Sequence, residues 1–269
     1  MIAAPMIKLS VNVNKIAVLR NSRGGEFPRP VDAARVAIGA GCHGITVHPR
    51  PDARHITARD VFELAAMLAA EFPEIEFNIE GYPGPEFLDL VTRVRPTQCT
   101  MVPDPPGVLT SNAGWNLASS AERLRGAIER LAGCGIRTSL FIEAEPDAAL
   151  RARELGADRV ELFTGPYAHA FGTAEARTIL RRHRETASAA HRAGLGVNAG
   201  HDLNLDNIPG YVKAVPYLDE TSIGHALISD AIYVGLANAV RAYLKALGSR
   251  PMRAARKRGA ARRGAGERK

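Results

Sequence analysis

The chain has 269 residues, of which 46% are hydrophobic and 23% charged, and its formal net charge at neutral pH is +7. The apolar content excludes a disordered chain, and 25 glycines and 17 prolines are too few for a collagen-like or low-complexity protein. The length suits one large globular domain of about 250 residues or two domains of ordinary size.

Short β-type runs and helical stretches alternate along the chain. We predict eight strands, at Lys8–Val13, Gly44–Val47, Glu76–Ile79, Gln98–Val102, Arg137–Ile142, Arg159–Leu162, Leu195–Asn198 and Glu220–Ile223. Apolar residues return every three or four positions, as in helices, over Ala58–Phe72, Pro85–Arg95, Ser120–Gly133 and Ala174–Gly194. Left-handed helix caps are expected just before four of the strands, at Gly41, Gly135, Gly156 and Gly194.

Strict alternation of strand and helix predicts an α/β protein with a parallel sheet. Eight units in about 245 residues fit a closed (β/α)₈ TIM barrel, and an open doubly wound sheet is the alternative. We therefore predict one barrel domain over residues 1–249 and a basic, disordered tail over residues 250–269. In such a barrel the functional residues should follow the strands, because the βα loops form the active face.

The positive charge is concentrated in the tail. Nine Lys or Arg and one acid, Glu267, lie between Arg250 and Lys269, whereas the rest of the chain has 26 basic and 27 acidic residues. A tail rich in Arg, Ala and Gly suits loose contact with nucleic acid, but it has no aromatic residues that would stack on bases. Nucleic-acid binding is thus an alternative that the rest of the sequence does not support.

The cysteines and the hydropathy pattern indicate where the protein works. Cys42, Cys99 and Cys134 are widely spaced, which is typical of buried, reduced thiols and not of a disulfide framework or a zinc site. The N-terminus lacks the features of a signal peptide, and no apolar run reaches the roughly 18 residues of a membrane span. We expect a soluble, cytoplasmic protein without membrane contact.

Polar residues, and one glycine, gather where the predicted strands end. In chain order they are Asn12, Asn14, Lys15, His48, Arg50, Glu80, Glu143, Glu161, Thr164, Asn198, His201, Gly224 and His225. Glu80 is placed at the barrel mouth, where partial burial would raise its pKa into the range useful for acid–base catalysis. Histidines near it can exchange the same protons. This pattern favours proton transfer over metal hydrolysis, with a carboxylate–histidine metal site as the alternative.

Two groups of residues suit phosphate. The Gly224–His225 turn, at the start of the helix after the eighth strand, offers backbone amides to an anion. Arg23, and Arg50 together with His55, supply flexible cationic groups. We expect one or two small phosphorylated substrates.

The connection from Pro103 to Ser120 is longer than most loops of compact domains. Its place on the predicted active face favours a lid over a decorative insertion. Thr110 and Ser111 would then contact the ligand when the lid closes.

Several motifs in order carry a family resemblance. They are N-x-N-K-I-A-x-L-R-N-x-R-G (Asn12 to Gly24), G-I-T-V-H-x-R-x-D-x-R-H-I (Gly44 to Ile56), N-I-E (Asn78 to Glu80), V-P (Val102 and Pro103), V-N-A-G-H (Val197 to His201) and I-G-H-A (Ile223 to Ala226). From about Lys8 to Gly248 the chain resembles the pyridoxine 5′-phosphate synthase family of barrel enzymes in vitamin B6 biosynthesis.

The resemblance implies a transferase that condenses 1-deoxy-D-xylulose 5-phosphate with 3-amino-2-oxopropyl phosphate. The products are pyridoxine 5′-phosphate, phosphate and water, and neither a metal nor an organic cofactor is implied. It also implies a homo-octamer built from dimers. Carried over residue by residue, the resemblance makes His48 and Glu80 proton acceptors and His201 the proton donor. Binding roles fall to Arg50, His55 and Thr110 for deoxyxylulose phosphate, and to Asn12, Arg23, Gly224 and His225 for the aminoketone phosphate.

The chain departs from the commonest family pattern in two places. Asn14 and Lys15 stand where many members have Asp-His in contact with deoxyxylulose phosphate, and Asp202 stands where a glycine usually contributes to the aminoketone site. Either Asp202 compensates the charge of Lys15, or the changes mark a subgroup with the same reaction, which the retained acid–base residues favour. Lys15 also raises an alternative, a related barrel enzyme that forms a Schiff base with another phosphorylated carbonyl substrate.

Overall fold

The computed structural model describes residues 6–104 and 113–252, and within these ranges eight strands alternate with eleven helices. The strands are β1 (Lys8–Asn12), β2 (Gly44–Val47), β3 (Glu76–Gly81), β4 (Gln98–Met101), β5 (Arg137–Ile142), β6 (Arg159–Leu162), β7 (Gly196–Ala199) and β8 (Leu218–Ile223). The helices are α1 (Asn14–Asn21), α2 (Pro30–Ala40), α3 (Ala58–Glu71), α4 (Pro85–Val94), α5 (Ala121–Ala132), α6 (Pro146–Glu154), α7 (Gly165–Ala170), α8 (Glu175–Arg192), α9 (Ile208–Ala214), α10 (His225–Val234) and α11 (Leu236–Ala246).

The strands form a closed parallel barrel. Each strand pairs with the next in the chain, and β8 pairs with β1. The predicted (β/α)₈ barrel is therefore confirmed, and the open-sheet alternative is wrong. The predicted bounds of β2, β5 and β6 match the observed ones, and the other strands differ by one or two residues at an end. All four predicted glycine caps have positive φ.

The apolar core lies between the barrel and its surrounding helices. Alternate strand residues, such as Leu9 and Val11 of β1, are fully buried there, as are helix residues such as Leu64 and Leu124 of the same core. Cys42 and Cys99 are buried free thiols as predicted, whereas Cys134 is only partly buried. Across the described part of the chain, we find no helix whose length and apolar character would let it cross a membrane.

The inside of the barrel is polar. Ser10 and Thr46 share a hydrogen bond of 2.7 Å, Asn78 Nδ2 donates to Thr46 Oγ1 at 3.4 Å, and Thr100 Oγ1 donates to Asn78 Oδ1 at 3.0 Å. Buried polar groups cost free energy unless they are hydrogen-bonded, so this chain of contacts across β1 to β4 helps to fix the strand register. It also carries polar side chains from the barrel interior toward the mouth.

Residues 250–252, which we assigned to the tail from sequence, contact the barrel. Leu9 N donates to His43 Nδ1 at 3.1 Å, which leaves the proton of a neutral His43 ring on Nε2, 3.0 Å from the carbonyl oxygen of Arg250. Met252 N donates to Gly41 O at 2.9 Å, and Pro251 lies against Gly41. The described structure thus continues beyond the predicted domain boundary at residue 249. The remainder of the predicted tail, residues 253–269, lies outside the described residues.

This arrangement predicts different outcomes for two truncations. A chain that ends after Met252 keeps these contacts and should unfold like the full-length chain. A chain that ends after Ser249 loses two hydrogen bonds and the Pro251 contact, and its free energy of unfolding should fall by about 1–2 kcal/mol. Urea denaturation of the three proteins measures the difference, and equal stability of the two truncated chains would contradict a role for residues 250–252.

Candidate active site

The carboxyl ends of the strands bring the predicted acid–base residues to one mouth of the barrel. Asn12 ends β1, His48 follows β2, and Glu80 is the penultimate residue of β3. His201 follows β7, and His225 is the first residue of α10, directly after β8. Because all eight strands are parallel, these positions share one end of the barrel, as the sequence analysis expected.

Glu80 is a partly buried carboxyl group without a cationic hydrogen-bond partner among the described residues. Its Oε2 lies 3.4 Å from Asn12 Nδ2 and its Oε1 lies 3.5 Å from Ser222 Oγ, both long contacts. Burial raises the pKa of Glu80 to about 8, and the hydrogen bond from Ser222 opposes that rise. A carboxyl group with such a pKa can both accept and release a proton near neutral pH.

Glu76, four residues earlier on β3, shows what a cationic partner does. Burial by itself would raise its pKa, but hydrogen bonds from Lys8 and Arg137 lower the pKa below the ordinary value. One strand therefore carries an ion-paired carboxylate at its start and a proton-exchanging carboxyl group near its end.

Two further carboxyl groups lie deeper in the barrel. Burial raises the pKa of Glu161 well above its ordinary value, and the charges of Glu80 and Glu220 add to this effect. Burial also raises the pKa of Glu220 to about 7, and its Oε1 has no hydrogen-bond partner among the described residues. Glu161 was predicted at a strand end without a role, and its strand alternates polar and apolar residues (RVEL). Glu220 and Ser222 were not predicted as site residues, because β8 (LDETSI) has four polar residues in a row and its sequence does not show which of them face the barrel interior.

His48 and His55 face each other across the βα loop after β2, with ring centroids 6.1 Å apart in an edge-on arrangement. Burial lowers the pKa of His48 to about 3 and that of His55 to about 4, and in both cases the charge of Arg50 adds to the effect. His55 Nδ1 accepts a hydrogen bond from Ile56 N at 2.9 Å, so its own proton lies on Nε2. Both rings are neutral at neutral pH.

Asn14 connects the first two strand ends. Its backbone N–H donates to Asn12 Oδ1 at 3.0 Å, and its side-chain Oδ1 accepts a hydrogen bond from the backbone N–H of His48 at 2.9 Å. The neighbouring Lys15 is exposed, and its charge contributes to the lowered pKa of His55, which places it beside the same loop. Because a Schiff-base lysine needs a desolvated amine, this exposure gives the Lys15 alternative no support.

Arg50 forms a buried ion pair. Its Nη2 lies 2.6 Å from Asp104 Oδ2, and the two side chains are only 7% and 3% exposed. The cationic group expected at Arg50 is therefore paired with a carboxylate. A buried ion pair of this kind fixes the guanidinium beside His48 and His55.

Other predicted binding residues are placed differently. Arg23 lies in the exposed turn after α1 and has no side-chain contact with the other predicted site residues in the part of the chain that the structure describes. Thr110 and Ser111 lie outside the described residues, as do the other residues of 105–112 in the predicted lid. The described end of this loop contacts the barrel, where Gly114 N donates to Glu143 Oε1 at 2.7 Å and Trp115 Nε1 donates to Met101 O at 2.9 Å.

The predicted anion site after β8 adjoins Asn12. Gly224 precedes the first turn of α10, and a Cβ atom at this position would lie 3.1 Å from Asn12 Cβ. Glycine therefore allows the turn to approach Asn12 closely. The first turn of a helix presents backbone N–H groups and a partial positive charge, both suited to a phosphate.

His201 is surrounded by aromatic and polar contacts. Its ring lies edge-on to Phe141 and Phe163, at centroid distances of 6.1 and 5.4 Å, and Thr164 Oγ1 donates to its carbonyl oxygen. Its Nδ1 lies 3.0 Å from Oδ2 of Asp202. Asp202 thus contacts His201, and no described contact joins it to Lys15, so the compensation of Lys15 by Asp202 has no support.

Comparisons with known proteins identify the family of the chain. The sequence model of the family "Pyridoxal phosphate biosynthesis protein PdxJ" matches residues 9–249. A protein of Bacteroides thetaiotaomicron named pyridoxine 5′-phosphate synthase is 48% identical over 242 residues, which cover 90% of this chain and 100% of the relative. A protein of the same name from Xanthomonas axonopodis pv. citri is 52% identical over 250 residues, which cover 90% of this chain and 97% of the relative.

Solved structures share the barrel at low sequence identity. Tryptophan synthase from Mycobacterium tuberculosis superposes with a TM-score of 0.61 at 12% identity, covering 90% of this chain and 93% of that one. Thiamine phosphate pyrophosphorylase from Pyrococcus furiosus gives 0.59 at 16% identity, covering 90% and 96%. These structures support the fold alone. The family match and the relatives at about half identity go further: the chain belongs to the PdxJ family of pyridoxal phosphate biosynthesis proteins.

Proposed function

We propose that the protein is a pyridoxine 5′-phosphate synthase, a transferase that condenses 1-deoxy-D-xylulose 5-phosphate with 3-amino-2-oxopropyl phosphate. The products are pyridoxine 5′-phosphate, inorganic phosphate and water. The names of the relatives support the activity. The observation that carries the acid–base mechanism is a partly buried carboxyl group with a raised pKa, Glu80, at the same mouth as two histidines, His48 and His201.

The three groups suit different proton transfers. Ring closure between two ketones requires protons to be removed from carbon and nitrogen and delivered to the oxygens that leave as water. Glu80 exchanges a proton near neutral pH because burial raises its pKa to about 8. His48 is neutral and can accept a proton, although the charge of Arg50 disfavours its protonated form. A substrate phosphate beside Arg50 counters that charge and makes the imidazole a stronger base.

Two places on the mouth suit the two phosphate groups. The guanidinium of Arg50, with His55 and Lys15 close by, forms the proposed site for deoxyxylulose phosphate. The turn at Gly224, together with Asn12 and the start of α10, forms the proposed site for the aminoketone phosphate. Glu80 contacts Asn12, so the proposed base lies next to the second of these sites.

Substitution of Glu80 tests the proposed activity. Purified wild-type protein given both substrates should form pyridoxine 5′-phosphate, measured by chromatography and fluorescence. Glu80→Gln keeps the shape of the side chain but cannot accept a proton, so we expect kcat to fall about 10²- to 10⁴-fold. Glu129→Gln, on the exposed surface of α5, is the matched control and should keep wild-type turnover. Formation of no product by folded wild-type protein would disprove the proposal.

The same substitution should stabilise the protein at alkaline pH. The folded chain holds a proton on Glu80 up to about pH 8, whereas the unfolded chain releases it near 4.5. This contribution to stability is complete below pH 4.5 and is lost as the pH rises through 8. Glutamine does not ionise, so Glu80→Gln should exceed the wild type by about 1–2 kcal/mol at pH 8.5 and lose this advantage at pH 4.5. Thermal unfolding at the two pH values measures the effect, and an equal difference at both would refute it.

We further propose that the enzyme works in the cytoplasm, which suits its free thiols, as the homo-octamer built from dimers that the family resemblance implies. One face of α11 is buried, with Ala239, Val240, Tyr243 and Leu244. In contrast, Ile232, Tyr233 and Val234 at the end of α10 are 75%, 88% and 51% exposed. Adjacent exposed apolar side chains of this size favour burial against another copy.

Light scattering coupled to size-exclusion chromatography tests this assembly. The wild type should have the mass of eight chains, and Tyr233→Ser should lower that mass because it removes the most exposed of the three apolar side chains. The matched control is Tyr217→Ser, which changes another partly exposed tyrosine at a different place on the barrel. A monomeric wild type would contradict the proposed assembly, and an unchanged mass for Tyr233→Ser would contradict the role of α10.

A further inference from the structure

We propose that Asp202 is a positioning residue that holds the imidazole of His201 in the orientation and protonation pattern needed to donate a proton from Nε2. The inference rests on the proposed function, in which His201 is the proton donor. It gives a role to a side chain that replaces the glycine usual at this place in the family.

The first support is the contact itself. Asp202 Oδ2 lies 3.0 Å from His201 Nδ1, and the side chains are 40% and 25% exposed. A carboxylate can only accept at this distance, so Nδ1 carries a proton and donates it. The nitrogen through which the ring then exchanges protons with a substrate is Nε2.

The second support is the backbone. Asp202 has a φ of 65°, in the left-handed region that a residue with a Cβ adopts at a cost and that Asp tolerates better than most. This conformation is fixed by neighbours, since Asn207 Nδ2 donates to the Asp202 carbonyl oxygen at 3.3 Å and Leu203 N donates to Gly200 O at 3.0 Å. The turn would accommodate glycine without strain, whereas the aspartate adds a carboxylate that is directed at His201.

The third support is that the ring is restricted on its other sides. Phe141 and Phe163 lie edge-on to it, and Thr164 binds the His201 carbonyl oxygen. A Cβ atom on Gly200 would lie 2.0 Å from the carbonyl oxygen of Ser222, so the backbone before His201 is pressed against β8. The Asp202 carboxylate adds a polar contact to the aromatic and backbone contacts of His201. This contact determines that Nδ1 of the ring faces the carboxylate.

Charge complements this geometry. The hydrogen bond with His201 lowers the pKa of Asp202, and the nearby His169 and His225 act in the same direction, so the carboxylate is ionised when the ring gains its second proton. Glu161 faces His201 from β6. In the proposed step the Nε2–H bond of the imidazolium breaks, the proton passes to the substrate oxygen that leaves as water, and the electron pair stays on Nε2. Asp202 keeps its charge throughout, as the orienting carboxylate of a serine-protease triad does.

Two substitutions test the contact. Asp202→Asn removes the negative charge and brings an amide N–H that can donate to Nδ1, and Asp202→Gly removes the side chain while suiting the left-handed backbone. We expect kcat to fall about tenfold or more for both variants, because neither holds the proton on Nδ1 as the carboxylate does. KM for both substrates should stay within about twofold. Asp206→Asn, an exposed aspartate in the same loop, is the matched control and should leave kcat unchanged.

A readout without turnover keeps the inference separate from the proposed function. ¹⁵N NMR of the His201 ring should show a neutral tautomer protonated on Nδ1 in the wild type, with a shift toward Nε2 in Asp202→Gly. An Nε2 tautomer in the wild type would overturn the inference even if synthase activity is found. Unchanged kcat in Asp202→Gly would overturn it as well, and a raised KM with that unchanged kcat would indicate direct substrate binding. If the wild type makes no product, only the proposed function fails, and the NMR result decides the pairing.

Discussion

Burying a carboxyl group in a protein costs free energy unless it is neutralised by a cation or by its own proton. The two carboxyl groups of β3 meet this constraint in opposite ways, because Glu76 pairs with Lys8 and Arg137 whereas Glu80 keeps its proton to about pH 8. The difference follows from position along the strand, since Lys8 and Arg137, at the starts of β1 and β5, bond to Glu76, whereas no cation bonds to Glu80 among the described residues. The carboxyl end is thereby left with a group that can take part in proton transfer.

The polar interior of the barrel connects these two ends. Residues such as Ser10, Thr46 and Asn78 bond to one another across the strands, so the space that most barrels fill with apolar side chains contains hydrogen-bonding groups. Glu220 lies among them, and its charge, together with that of Asp104, adds to the effect of burial in raising the pKa of Glu80. The raised pKa of Glu80 is therefore a property of several strands together, and a change deep in the barrel will be felt at the mouth.

The sequence predicted the barrel well because its signals are local. Helix periodicity, the glycine caps and the eight apolar runs each depend on neighbouring residues, and β2, β5 and β6 were located to the residue. Because functional residues of a barrel follow its strands, Glu80, His48 and His201 were then expected at one mouth.

Side-chain pairing could not be predicted from local patterns. Arg50 bonds to Asp104, 54 residues away, and was expected to be a flexible cation. Glu220 could not be predicted either, because its role depends on which side of its strand faces the barrel interior. Nor could the contacts of residues 250–252, because their partners Gly41 and His43 lie about 210 positions earlier in the chain.

The ion pair between Arg50 and Asp104 also bears on how a substrate arrives. A guanidinium beside a carboxylate acts as a dipole, whose field decays with distance faster than that of a single charge. The chain up to residue 249 carries almost equal numbers of acidic and basic residues, so it provides no strong overall field that would draw a phosphate toward the mouth. Encounter would then depend on ordinary diffusion, and the proposed recognition of phosphate would begin only at contact distance. Such a site discriminates between ligands by the time they remain bound and not by how fast they are captured.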